Sequence, residues 1–216
     1  MHYLRNLFEA LDLSSVQDLV LRLLSVLLCL TIHEMSHGFA AYALGDPTAK
    51  SQHRLSLNPL RHIDWLGLAM LAVAGFGWAK PVQVNPNYFK KPKLGMAVTA
   101  LAGPLSNMVL ALLLLLAARL LIGAGVLSRG LLTFLVSTAL LSIGLGIFNL
   151  IPIPPLDGSK VLFAVLPDKQ YALLMRYEQY GMFLLLALVM LGAGSRFLGQ
   201  ANNAVFDLFC RITGLQ

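Results

Sequence analysis

The sequence predicts an all-α polytopic membrane protein, and three features support this prediction. Of the 216 residues, 57% are hydrophobic and 12% are charged, whereas a soluble domain carries about 25% charged residues. Three apolar runs are long enough to cross a bilayer as helices, which disfavours a soluble helical protein with a large core. Basic and turn-forming residues are concentrated between those runs, as membrane topology requires. At this length we expect one domain, residues 1–216.

The net charge of +6 does not indicate a nucleic-acid partner, because the basic residues lie mainly in the loops between apolar runs. Cys29 and Cys210 are far apart, and neither belongs to a CxxC pair. The sequence therefore predicts neither a disulfide framework nor a thiolate metal site. We expect Cys29 to be a small buried hydrophobic residue.

The N-terminal part should contain an interfacial helix and then the first membrane helix. Up to about Val16, Leu and Phe residues recur on one face at helical spacing, which is typical of an amphipathic helix at a membrane surface. Acidic residues precede the first long apolar run, so the start does not resemble a cleavable signal peptide. The first membrane helix should run from about Leu19 to Leu44, because Gly45 and Pro47 terminate helices.

Residues 46–93 form a basic, turn-rich region between the first two membrane helices. They hold seven of the 16 lysines and arginines: Lys50, Arg54, Arg61, Lys80, Lys90, Lys91 and Lys93. The apolar stretch Trp65–Trp78 is too short to span a bilayer, so we interpret it as re-entrant or interfacial. Extended stretches at 55–57 and 82–84 are candidate strands. We therefore predict a short membrane-associated hairpin or strand region after the first helix.

The second membrane helix should cover about residues 94–122, with Pro104 as a potential kink. The third should cover about 131–150. The proline-rich stretch after it cannot be regular helix, so a helix should restart near Gly158. These three helices make up a predicted core, about residues 19–160, with flanking helices around it.

The C-terminal part is less regular, with an apolar segment at 180–191 and a one-sided apolar segment at 197–210. The whole chain therefore allows four to six spans. In one arrangement, the third helix ends on the same side of the membrane as residues 46–93. That side then also carries Lys160, Lys169 and Arg176. The more basic side should be cytoplasmic.

The first membrane helix contains His33-Glu34-Met35-Ser36-His37, an HExxH motif. Residues i and i+4 share a helix face, so both imidazoles can reach one zinc ion. Glu34 then stands beside the open position of the metal, where a general base can accept a proton from water. Ionisable groups inside a membrane span are costly and usually functional. Because His37 lies about two turns from the basic end of its helix, the chemistry should lie nearer the cytoplasmic face.

A catalytic zinc usually takes three protein ligands, so one more must come from elsewhere in the chain. Asp157 is the best candidate, since it follows a broken helix end where the backbone can turn a carboxylate inward. Two neutral imidazoles and one carboxylate would leave a net charge of about +1, which lowers the cost of burying the ion. The alternative is that Asp157 only caps a helix N-terminus.

Several segments in combination resemble the site-2 protease family of intramembrane metalloproteases. These are HEMSH at 33–37, AGPLSN at 102–107, with its GxxxN asparagine, and FNLIPIPPLDG at 148–158. The stretches GDPTAKSQHRLSLNPLRHID at 45–64 and GWAKPVQVNP at 77–86 are similar to the compact prokaryotic branch, which has no PDZ domain. The resemblance covers about residues 30–160.

The resemblance implies one Zn²⁺ per chain, bound by His33, His37 and Asp157, with Glu34 as general base. It implies that Asn149 stabilises the substrate carbonyl or the oxyanion and that Asn107 lines the site. For each asparagine the alternative is an interhelical hydrogen bond that only packs the bundle. The expected activity is that of a metalloendopeptidase in the prokaryotic inner membrane. Expected substrates are membrane-spanning proteins or peptides, for example anti-sigma factors or remnant signal peptides, and the oligomeric state stays open.

A metal-ion transporter or metal-sensing membrane protein is the alternative from another class, because it could use the same ligands. Such a protein would not need Glu34 as a base between the histidines. His53, His62 and Asp64 form a second polar group, which is either a regulatory metal site or, more in keeping with its loop position, a set of interface residues.

Overall fold

The structure is a computed structural model that describes residues 16–67, 80–126, 128–167, 170, 180–188, 191–192 and 194–215. Its named α-helices are α1 (Val16–Ala43), α2 (Thr48–Ser51), α3 (Pro92–Gly123), α4 (Arg129–Asn149), α5 (Asp157–Ala164) and α6 (Ser195–Thr213). Residues 180–188 are also helical. Two short 3-10 helices, Pro59–Arg61 and Pro86–Tyr88, lie between α2 and α3.

Three of the described helices are long and apolar enough to cross a membrane: residues Leu19–Ala43 of α1, all of α3 and all of α4. This confirms the predicted all-α membrane fold and its three-helix core. α3 runs without interruption through Pro104. In the most apolar window of each helix, 22% of α1 and of α3 is buried, against 39% of α4. α4 is therefore the most enclosed of the three, and α1, α3 and α6 all pack against it.

Polar side chains link the membrane helices to one another. The hydroxyls of Ser25 on α1 and Thr138 on α4 are 2.6 Å apart, and both residues are buried. Ser142 on α4 donates to the backbone oxygen of Asn107 on α3 at 2.8 Å. In lipid, where apolar side chains gain little by leaving the solvent, such hydrogen bonds help to fix the helix positions. Cys29 is fully buried, as expected.

An apolar cluster joins α3, α4 and α6, and its buried members are Ala111, Leu115, Val136, Ala139, Ile143, Phe206 and Cys210. Phe206 and Cys210 are the buried residues of α6, while much of the rest of that helix is exposed. α6 thus packs through one face, which agrees with the one-sided apolar pattern at 197–210. It is not among the described helices that could span a membrane.

The candidate strands at 55–57 and 82–84 do not form regular strands in the part of the chain described here. The side chains of Asn58 and Asn85 instead accept hydrogen bonds from the first turns of the two 3-10 helices. Lys80 N donates to His62 O at 2.9 Å and joins the two described parts of the region, residues 46–67 and 80–93. Prolines interrupt both parts and remove backbone donors that a strand ladder would need. The predicted interfacial helix before Val16, and most of Trp65–Trp78, lie outside the described residues.

Candidate active site

The two motif histidines lie one turn apart on α1, and Asp157 at the start of α5 meets both of them. Asp157 Oδ2 is 3.1 Å from His33 Nε2 and 3.2 Å from His37 Nε2. The two imidazole rings are perpendicular, with centroids 4.6 Å apart. All three residues are buried. The structure thus brings together the three side chains that the sequence singled out as metal ligands.

The spacing of these donor atoms fits a zinc ion. Ligand atoms at about 2.0–2.1 Å from a tetrahedral zinc lie about 3.3 Å from one another, close to the 3.1 and 3.2 Å measured between the carboxylate oxygen and the two Nε2 atoms. Two imidazoles and one carboxylate are also a ligand set typical of catalytic zinc. Among the described residues, no other His, Cys, Asp or Glu group converges in this way.

Asp157 does not serve as a helix cap in this structure. Leu156 occupies the N-cap position of α5, and Asp157 is the first helical residue. Burial raises the pKa of the Asp157 carboxyl, but the adjacent side chains of His33 and His37 outweigh burial and hold that pKa below its usual range. The group is therefore a carboxylate, the form in which it can bind a cation.

The backbone around Asp157 explains why a glycine follows it. A Cβ at position 158 would collide with the carbonyl groups of Leu150 and Ile151 at the end of α4. Gly158 therefore lets the first turn of α5 approach the last turn of α4. This close approach carries Asp157 back towards α1.

The outer nitrogen of His37 is held by the backbone of α3. His37 Nδ1 lies 2.7 Å from Thr99 O, and a carbonyl can only accept. The proton must therefore be on Nδ1, which leaves the Nε2 lone pair free for a metal. Sequence reasoning could not find this contact, because the acceptor is the backbone oxygen of Thr99 and no side chain marks its position.

Asn107 supports His33 from the opposite side of the ring. Its Nδ2 is 3.3 Å from His33 Nδ1, while its Oδ1 is buried without a hydrogen-bond partner among the described residues. A half-turn of the amide would place Oδ1 beside Nδ1, where it can accept the Nδ1 proton and leave Nε2 free for zinc. Asn107 is fully buried, and its side chain contacts the metal-ligand candidate His33 rather than the open space of the site. A direct contact with substrate stays a prediction.

Gly103 on α3 provides the room that the two imidazoles occupy. A Cβ at this position would lie 2.5 Å from His37 Nε2 and 2.7 Å from His33 Cε1. Those distances are far below van der Waals contact, and the histidine rings are buried, so the rings would have to move. The glycine of the AGPLSN segment is thus a structural requirement of the ligand geometry.

We expect Gly103→Ala to lower both zinc affinity and peptidase activity. A misplacement of about 1 Å costs about 100-fold in rate, and the added methyl group must displace at least one imidazole. Gly123→Ala is the matched control, because it lies on the same helix and its Cβ would meet only Arg119 Nη1 at 3.6 Å. Zinc content and cleavage rate of the purified variants are the measurements. Wild-type values for both in Gly103→Ala would contradict the role assigned to this glycine.

Glu34 lies beside the histidines, half-buried, and contacts the chain segment 80–85. Its Oε2 accepts a hydrogen bond from Val82 N at 2.8 Å. Three residues further on, Asn85 N donates to Asp46 Oδ2 at 2.7 Å, and Asp46 is fully buried. Asp46 also accepts from Thr48 N at 2.9 Å. The segment is thus bound to Glu34 at Val82 and to Asp46 at Asn85. These two contacts fix the position of the Val82 N–H group.

The other predicted residues lie at a distance from these contacts or make different ones. Asn149 is the last residue of α4, and its Nδ2 donates to Leu145 O at 3.0 Å. Its contact with a substrate stays a prediction. His62 is buried and its Nε2 lies 2.8 Å from Ser56 O, while Asp64 accepts from backbone N–H groups. With His53 they do not converge as metal ligands, in keeping with the loop interpretation.

Comparison with known proteins agrees with this geometry. The sequence profile of Peptidase family M50 matches residues 119–192. Those residues contain Asp157 but not the HExxH motif. No solved structure matches the chain significantly.

Curated relatives cover more of the chain. A Bacillus subtilis protein named "Putative zinc metalloprotease YwhC" is 38% identical over 194 residues, which are 88% of this chain and 89% of the relative. The Mycolicibacterium smegmatis protein "Putative zinc metalloprotease Rip2" is 31% identical over 90% of this chain and 76% of its own length. The protein of the same name from Mycobacterium tuberculosis (strain Erdman) is 37% identical over 169 residues, which are 69% of this chain and 62% of the relative.

The names of these relatives describe proteases, so the transporter alternative gains no support from them. The ligand geometry, the family profile and the long alignment lead to the same result. The chain belongs to peptidase family M50, the site-2 protease family, and is a membrane zinc metalloprotease.

Proposed function

We propose that this protein hydrolyses peptide bonds of other membrane-spanning proteins, within or beside the bilayer, with Glu34 as the general base. The observation that carries this proposal is that His33 and His37 lie inside a helix long enough to span the membrane. A protease whose metal ligands lie within a membrane-spanning helix must receive its substrate from the bilayer or its surface. Candidate substrates are single-span proteins such as membrane-tethered anti-sigma factors, or remnant signal peptides.

The chemistry divides between the metal and the chain. His33, His37 and Asp157 would hold a zinc ion, which would lower the pKa of a water molecule and polarise a peptide carbonyl. Glu34 accepts a proton from the attacking water and delivers it to the leaving amine. The Val82 N–H holds Oε2 of Glu34, so the carboxylate keeps one orientation and Oε1 is left to accept the proton.

The site is proposed to lie nearer the cytoplasmic face of a prokaryotic inner membrane. His37 is six residues from the end of α1 at Ala43, which is about 9 Å along a helix. The region that follows this end, residues 46–93, holds seven of the 16 lysines and arginines. An excess of Lys and Arg is typical of cytoplasmic loops.

The test is cleavage of a single-span reporter by the full chain reconstituted in lipid nanodiscs. A matched reporter has the same flanking sequences, but a soluble polar linker replaces its membrane segment. We expect the spanning reporter to be cut in or next to its membrane segment, chelator to stop cleavage, and added zinc to restore it. Mass spectrometry of the products locates the cut.

A protein that cuts the soluble reporter as fast as the spanning one would contradict the intramembrane assignment. Cleavage that persists at full rate after chelation, with zinc shown to be removed, would contradict the metal mechanism. Both comparisons use the same preparation, so a poorly folded sample would fail on both reporters alike.

A further inference from the structure

A cleft of about 590 Å³ lies on the loop region between α1 and α3, apart from the zinc site. Its walls include Arg54, Arg61 and Lys80, together with Asp64, Leu60 and Trp65. None of these residues takes part in the catalytic geometry described above.

The cleft has an excess of positive charge. Among the described residues, Arg54, Arg61 and Lys80 form no ion pair. Arg54 Nη1 donates to Arg61 O, and Arg61 Nη1 donates to His53 O at 2.7 Å. Carbonyl acceptors orient a guanidinium without neutralising it, and each guanidinium keeps further N–H donors.

The carboxylate in the cleft does not cancel this charge. Asp64 Oδ1 already accepts from Leu66 N at 2.9 Å and Gly67 N at 3.0 Å. Even counted as a full negative charge, Asp64 offsets one of the three cations. An anion with several acceptor oxygens, such as a phosphate group, matches the remaining donors.

The rim of the cleft is apolar and open to its surroundings. Trp65 is 71% exposed, and Leu60 and Leu66 are 65% and 66% exposed. The region follows the end of one membrane helix at Ala43 and precedes the start of another at Pro92. It therefore lies at a membrane surface, where exposed tryptophan and leucine side chains sit among lipid headgroups and upper acyl chains.

We propose that this cleft binds the phosphate group of an anionic phospholipid of the same membrane. The exposed Arg61 and Lys80 contact the phosphate, the buried Arg54 adds positive charge beneath it, and Trp65, Leu60 and Leu66 contact the glycerol and upper acyl region. A lipid explains the cations and the apolar rim together, whereas free phosphate would leave the rim without a role. Bound lipid would fix the depth at which the loop region lies in the membrane surface.

Trp65 fluorescence provides a direct test, because the chain has two tryptophans and Trp78→Phe leaves one. The full chain is placed in nanodiscs that contain brominated phosphatidylglycerol or brominated phosphatidylcholine, each in a background of unbrominated phosphatidylcholine. Brominated chains quench only nearby tryptophans. The measured quantity is the ratio of the two lipids' association constants at Trp65.

We expect phosphatidylglycerol to be preferred, and each of Arg61→Gln and Lys80→Gln to lower the preference by about fivefold. Lys80→Gln guards against misfolding, since its side chain makes no hydrogen bond to a described residue. Lys90→Gln is the matched control, because it removes one exposed cation from the same loop region without touching the lining of the cleft, and it should leave the preference unchanged.

Three results would overturn the proposal. One is equal quenching by the two lipids. Another is an equal loss of preference in Lys90→Gln, which would indicate diffuse attraction by the net charge of the loop region. The third is a saturable change of Trp65 fluorescence with inorganic phosphate in neutral detergent but no lipid preference in nanodiscs, which would assign the cleft to free phosphate.

Discussion

Glu34→Gln should abolish cleavage while leaving zinc bound. The amide has nearly the shape of the carboxylate, and its oxygen can still accept the hydrogen bond that Val82 N now donates to Oε2. The segment 80–85 should therefore keep its place. What the variant loses is the ability to accept a proton, and general acid–base catalysis contributes about 10²- to 10⁴-fold. We expect a loss in rate of that size or larger, with one zinc per chain retained.

The measurement pairs single-turnover cleavage of the spanning reporter with metal analysis of the same sample. Asp207→Asn is the control, since it makes the same chemical change on α6, away from the zinc ligands. It should retain the wild-type rate. If Glu34→Gln binds zinc and cuts at the wild-type rate, Glu34 is not the base and the proposed mechanism fails.

The three-helix core was predictable because long apolar runs and their Gly and Pro ends are local features. The predicted starts at Leu19 and Leu94 lie within three residues of the observed starts at Val16 and Pro92. No comparable local pattern determines residues 46–93. There the side-chain caps of Asn58 and Asn85 compete with strand pairing, and the described parts, 46–67 and 80–93, contain short helices and turns rather than regular strands.

The predicted metal ligands converge because two of them obey helical spacing. His33 and His37 needed only the i, i+4 geometry of α1. Asp157 lies 124 residues from His33, and only the family resemblance and its place after a broken helix suggested it. Pairing over such a distance depends on how α5 returns to α1, which the sequence does not state.

The supporting contacts were not predicted, since many of them involve backbone atoms or the absence of a side chain. Thr99 O holds His37, Val82 N holds Glu34, and Gly103 provides space for both imidazoles. A backbone carbonyl has the same chemistry at every residue, so no residue type marks it. The AGPLSN segment did carry a signal, since its glycine and asparagine are the residues that contact the histidines.

Replacing Asp157 should have the largest effect on metal binding. Removal of an outer partner of a metal ligand costs about 10- to 100-fold in metal affinity, and loss of a ligand itself should cost more. In Asp157→Ala we expect zinc to fall well below one per chain and cleavage to fall to background. The two histidines would also lose the anion that lies 3.1 and 3.2 Å from their Nε2 atoms.

Asp157→Asn separates a ligand from a helix cap, because asparagine caps an N-terminus about as well as aspartate does. If Asp157 only stabilised the start of α5, the asparagine variant would keep wild-type zinc affinity and activity. If Asp157 is a ligand, the neutral amide loses the charge that compensates the ion, and both quantities fall. Chelator competition measures the affinity, and Asp207→Asn again provides the unaffected control. Wild-type zinc affinity in Asp157→Asn would exclude the carboxylate charge from the metal site, and a third ligand would have to be sought elsewhere in the chain.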